Sequence, residues 1–227
     1  MTDAELDAIR LSLSVALRSV LVSLPFAVLV AWLLTRRRLR GRLMLDVLVH
    51  LPLVLPPVVV GYLLLLLFGV RGPLGSFLYE HFGVQLTFTT GGAALATAVM
   101  SFPLVVRAIR ISLEGIDAGL EDAAKTLGAG PWDRFFSITL PLMLPGILAG
   151  SVIAFAAGLG EFGAVITFAS NIPGETRTLP LALYTALQTP GGEALAARLA
   201  GVSIVLGLLG LLIAELIASR LRGMLGR

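Results

Sequence analysis

The sequence predicts an all-α integral membrane protein with about five transmembrane helices, organised as one transmembrane domain over residues 1–227. Three observations carry this. The chain is 57% hydrophobic and 14% charged, with mean hydropathy +0.95, whereas a soluble domain carries about 25% charge. Several apolar runs reach about 20 residues, enough to cross a hydrocarbon core of about 30 Å. The basic residues collect in alternate loops.

The first span is read over Ile9–Leu34. It lacks a small-residue cleavage site and runs into Arg36, Arg37, Arg38, Arg40 and Arg42, so it reads as a retained span rather than a removed signal. The second covers Leu43–Phe68 and contains Pro52, Pro56 and Pro57. Each proline removes a backbone donor, and in a membrane such breaks survive only where protein or a wet cavity satisfies the freed carbonyls. The run from Leu51 to Gly61 therefore reads as a bent, path-lining helix. An outer loop follows at about 69–90. The third span, Gly91–Leu113, contains Pro103. A polar cytoplasmic loop, about 114–141, leads to the fourth span, Leu142–Phe168. The second outer loop, about 169–194, holds a polar turn and TLPLALYTALQ, an apolar stretch too short to span. The fifth span is Leu195–Ser219.

Basic residues fix the orientation. Five arginines lie in residues 36–42, and Arg107, Arg110, Lys125 and Arg134 lie in 107–141; the two opposite loops hold only Arg71 and Arg177. The positive-inside rule places the N-terminus outside and the C-terminus in the cytoplasm. An odd number of spans requires the same. The arginines lack interleaved aromatic residues, which argues against nucleic acid as a partner. Without cysteines, disulfides and thiolate metal sites are excluded. His50 and His81 are isolated, and no metal site is expected.

Gly158-Leu-Gly-Glu-Phe-Gly163 matches a dinucleotide-binding pattern literally. It lies inside an apolar run without the strand, helix and downstream acid that the pattern requires. The glycines read instead as close helix approach or a local break. Glu161 is costly within a span. Two readings stand for it: a gate, or a hydrogen bond holding a broken helix. A pair with Arg18 is a further option. Glu215 reads as structural near Arg220. No Walker pattern, nucleophile elbow or zinc-protease motif occurs, so the chain is not expected to be an enzyme.

Residues 121–141, EDAAKTLGAGPWDRFFSITLP, break the apolar pattern. Asp117 suits an N-cap. Leu120, Ala123, Ala124 and Leu127 share one face. Gly128 is placed to end the helix in the left-handed region, and Pro131 opens a second helix. Phe135, Phe136 and Ile138 can fold back on the membrane surface. The face suits either a groove on a partner or a lipid surface.

This stretch resembles the EAA loop of ABC importer permeases: Asp122-Ala123-Ala124, Gly128, then Ile138, Leu140 and Pro141, with aspartate where the family usually has glutamate. Together with HLPLVLPPVVVGYLLL, MSFPLVVRAIR, GLGEFGAVITFASNIPGETRT and QTPGGE, nearly the whole chain resembles the permeases of molybdate importers. The resemblance implies a type I importer permease fold in a bacterial inner membrane. It implies two copies of the chain, a pair of ATPase subunits and an extracytoplasmic molybdate-binding protein. ATP and magnesium would be bound by the ATPase, with no cofactor in this chain. By the same resemblance, Glu121, Asp122, Ala123, Ala124, Gly128 and Ala129 dock the ATPase. The binding protein would dock at Asn171, Pro173, Glu175 and Arg177. The expected substrate path or gate comprises Pro56, Pro57, Gly61, Ser101, Pro103, Gly160, Glu161, Phe162 and Gly163. Almost no internal cation is expected in the spans, so high affinity is assigned to the binding protein. Tungstate as the cargo, a sulfate permease and an ion-coupled secondary transporter are the alternatives.

Overall fold

The computed structural model describes residues 2–35 and 40–225, without the side chains of residues 118, 121, 214–215, 217–218 and 221–225. Arg36, Arg37 and Arg38, and the side chains of Glu121 and Glu215, therefore lie outside the described residues. Among the described residues all regular structure is helical.

The first helix, α1, runs from Asp3 to Thr35. It starts ahead of the expected span and takes in Asp3 and Glu5, which suit the positive end of a helix dipole. The second expected span is two helices, α2 (Arg42–Val54) and α3 (Pro57–Phe68), bent by 118°. The break has a local cause. Pro56 and Pro57 lack amide donors and bias the preceding residues toward extended backbone, as at Leu55 with ψ 143°. A short helix, α4 (Pro73–Phe82), fills the loop expected at 69–90. α5 covers Thr90–Glu114 and is capped by Thr89, which accepts from the Gly92 N–H.

The polar loop forms α6 (Ala118–Thr126) and a single helical turn, α7 (Pro131–Arg134). A π-helical stretch, Phe135–Thr139, joins α7 to α8 (Leu140–Leu159). Pro141 supplies no N–H to continue the ordinary pattern across this turn. The fourth expected span does not run unbroken to Phe168. It stops at Leu159, and α9 (Gly163–Phe168) restarts after Gly160-Glu161-Phe162. α10 (Leu179–Leu187) and α11 (Glu193–Leu225) complete the chain. Among the described residues, four helical stretches are long and apolar enough to cross a membrane, and the bent α2–α3 pair makes five.

Three apolar clusters hold the bundle. One joins α1, α2, α5 and α8 through Ala31, Leu34, Val49, Ile109 and Met143. A second joins α3, α5 and α9 through Leu64, Ala96, Val165 and Phe168. The third packs α10 between α1 and α11, with Leu179 and Leu199 each 2% exposed. The short apolar stretch 178–188 thus packs one face into the bundle through Leu179, Leu181 and Ala186 and leaves Tyr184 and Leu187 exposed. A stripe of small residues on α8 allows close approach: a Cβ at Gly146 would lie 2.8 Å from the Ala108 carbonyl oxygen, and one at Gly158 would lie 2.9 Å from Thr97. These contacts put the end of α1 at Thr35, the start of α2 at Arg42 and the 114–141 segment at one end of the bundle. Glu5, which pairs with Arg198 at 3.0 Å, and Leu179, whose N–H donates to Ser12 Oγ at 2.7 Å, lie at the other.

Candidate functional site: a coupling segment and two facing helix breaks

α6 is built as its residues require. Asp117 accepts from the Gly119 N–H at 2.8 Å. At the far end the Gly128 N–H donates to the Lys125 carbonyl and the Ala129 N–H to the Ala124 carbonyl, with Gly128 at φ 87°. This is the Schellman arrangement, and its left-handed residue favours glycine. Asp122 and Ala123 are exposed, and Ala124 and Ala129 are half-buried. Leu120 is 48% and Leu127 87% exposed. The expected docking residues thus share one small-residue helix with its apolar edge uncovered. Beyond it, Phe135 packs edge-to-face on Trp32 at 6.1 Å, which anchors the segment to α1. Phe136 stays exposed beside Trp132.

The breaks in the second and fourth expected spans meet. A Cβ at Gly61 would sit 2.7 Å from the Ala164 carbonyl oxygen, and one at Gly163 would sit 2.7 Å from Pro57 Cβ. Pro56, Pro57, Gly61, Gly163 and the Gly160–Phe162 turn therefore form one junction. Within it, Glu161 Oε1 accepts from the Ala164 N–H at 2.9 Å. The carboxylate thus caps the restarted helix. No ion pair with Arg18 is present among the described residues. Phe162 stacks obliquely on Tyr184 of α10 at 5.1 Å. Ser101 and Pro103 stand apart from this junction. Both are buried on α5, and the Ser101 hydroxyl donates to the carbonyls of Thr97 and Ala98.

The polar turn after α9 is internally braced. Arg177 Nε donates to Asn171 Oδ1 at 2.9 Å, and Asn171 Nδ2 donates to Thr185 Oγ1 at 2.8 Å. Thr176 is buried and accepts from the Ile172 N–H. Of the four residues expected to dock a partner, Pro173 and Glu175 are exposed, while Asn171 and Arg177 brace the turn.

One group escaped the sequence reading. Arg107 and Arg110, which the charge count groups with the basic loop, lie within the expected third span on α5, where Arg110 bridges Asp46 of α2 at 3.2 Å and Glu114 at 2.8 Å. The signal was available as helical spacing: Asp46 and His50 four apart, Arg107 and Arg110 three apart.

A family model described as the inner membrane component of binding-protein-dependent transport systems matches residues 23–223. This chain belongs to that family. It is therefore an inner-membrane transport component, and the family is one of permease subunits rather than enzymes. The chain is 60% identical over 227 residues to the molybdenum transport system permease protein ModB of Escherichia coli (strain K12), covering 100% of this chain and 99% of that protein. It is 41% identical over 184 residues to the sulfate transport system permease protein CysT of the same organism, covering 80% of this chain and 66% of that protein. The fold matches that of a bacterial ABC transporter that imports alginate, with TM-score 0.77, 18% identity, and coverage of 97% of this chain and 80% of that one. The type I importer permease fold follows.

Proposed function

We propose that this chain is the membrane-spanning subunit of an ATP-driven importer that carries molybdate into the cytoplasm. The observation that carries the reading is the 60% identity to a molybdenum permease over the full length of both chains. Similarity to the sulfate permease is lower and covers less of either chain, which makes sulfate the second reading.

The proposed working unit has two copies of this chain around one path, two ATPase subunits holding ATP and magnesium, and an extracytoplasmic binding protein. The basic loops face the cytoplasm. Closure of the ATPases displaces α6, which is tied at one end to α5 and at the other, through α7 and the π-helical stretch, to α8. α8 ends at the Gly160–Phe162 break, which abuts Pro57 and Gly61. Motion of α8 is thereby delivered to the junction of the two breaks. Discontinuous helices at mid-membrane are a recurrent way to build a transport path. Glu161 occupies the start of α9 and repels anions there, so it serves as a brace rather than a substrate ligand. Glu175 and Pro173 supply the exposed contact for the binding protein.

The test is reconstitution of the complete transporter in liposomes. ATP-driven molybdate uptake that requires the ATPase supports the reading. Uptake by this chain alone, driven by an ion gradient, makes it a secondary transporter and ends the proposal.

A further inference from the structure

Asp46, His50, Arg107, Arg110, Ile111 and Glu114 line a cavity of about 290 Å³ between α2 and α5. Its charges are unevenly satisfied. Arg110 is committed to both acids: Nη1 to Asp46 at 3.2 Å, and Nε to Glu114 at 2.8 Å. His50 Nδ1 is held by the Asp46 carbonyl at 2.9 Å and by Asp46 Oδ1 at 3.2 Å. The His50 Nε2 and the whole Arg107 guanidinium have no protein partner among the described residues. The acids are thus spent on Arg110, and the cavity keeps an uncommitted guanidinium and an imidazole edge.

The group lies within the last turns of α5 and the first turns of α2. Arg107 lies seven residues before the end of α5, about 10 Å into the helix at 1.5 Å per residue. His50 lies eight residues after the start of α2, about 12 Å from that end. Arg107 is exposed on α5, so its guanidinium is open to a solute at the end of the bundle where the Arg110–Asp46 pair lies. A planar guanidinium suits the oxygens of a tetrahedral anion. Because only one full cation is free, binding is weak, as passage requires.

We infer that the α2–α5 cavity is a weak oxyanion site on the cytoplasmic half of the path, with Arg107 as its main ligand and His50 beside it. It rests on the proposed molybdate permease and adds a cation that the spans were not expected to hold. Asp46 and Glu114 position the site through Arg110 and do not meet the anion.

The native chain has no cysteine, so Ile111→Cys gives a unique reporter in the cavity. The complete transporter carrying it is placed in nanodiscs of phosphatidylcholine and treated with an anionic thiosulfonate. At molybdate of about ten times a millimolar Kd, modification slows about tenfold. Adding Arg107→Gln removes this protection. In proteoliposomes Arg107→Gln lowers molybdate uptake about tenfold, the scale of one charge-assisted hydrogen bond, and leaves ATP hydrolysis intact, while Arg107→Lys restores part of the uptake. Unprotected Ile111→Cys with full uptake by Arg107→Gln overturns the site and leaves the permease reading standing. Protection by phosphatidylglycerol but not by molybdate also overturns it, making the cavity a lipid headgroup site. Failure of the unsubstituted transporter to carry molybdate ends the permease reading and the site together.

Discussion

The Glu161 carboxylate sits at the break between α8 and α9. An acid within a span invites a gate role, yet its oxygen is engaged by the Ala164 N–H. Glu161→Gln keeps a carbonyl acceptor there and is expected to retain near-normal uptake. Glu161→Ala loses the cap, about 1 kcal/mol, and lowers both thermal stability and uptake. A Gln variant that folds but does not transport would give the charge itself the gating role. Glycines divide just as sharply. Gly61→Ala forces a methyl against the Ala164 carbonyl oxygen and should destabilise by about 1–3 kcal/mol. Gly201→Ala, with nothing near its Cβ, should be neutral or slightly stabilising in its helix. Comparing the two melting temperatures checks the packed junction. Equal values contradict it.

At the level of elements, α6 was legible because each of its signals is local. Asp117, the alanine face and Gly128 specify start, surface and stop without help from the rest of the fold. The breaks after Val54 and Leu159 were partly legible, since Pro56-Pro57 and Gly160 announce disruption. Their meeting was not, because it depends on the long-range contact between α3 and α9. α4 was overlooked in a loop, although Gly72-Pro73 at its start and Gly83 at its end, with φ 65°, are the expected punctuation. Arg107 and Arg110 fall within the expected third span although charge groups them with the loop, and the contact of Arg110 with Asp46 of α2 depends on the fold rather than on local spacing. A prediction belongs to α6 itself. Gly128→Glu puts a side chain on a left-handed residue, at a cost of about 1–2 kcal/mol, beside the expected docking face. The permease should still assemble in the membrane while ATP-driven uptake is lost. Unchanged uptake would separate α6 from coupling.

For the whole molecule, the two ends of the bundle are held by different means. One end is closed by Trp32 against Phe135 and the ion pair between Arg110 of α5 and Asp46 of α2. The other is fixed by Glu5 with Arg198 and by Ser12 with the Leu179 amide. Between them the small-residue stripe of α8 lets α1, α5 and α8 approach closely. This arrangement gives a firm frame from which a displaced α6 can act on the facing breaks. Composition and charge placement sufficed for the membrane class and the order of spans, while the substrate rests on the near full-length similarity to a molybdenum permease. The most direct measurement is uptake of nanomolar labelled molybdate by cells with and without this chain, in excess sulfate. The account predicts uptake that requires the chain and survives sulfate. Uptake erased by sulfate, or unchanged without the chain, would contradict it.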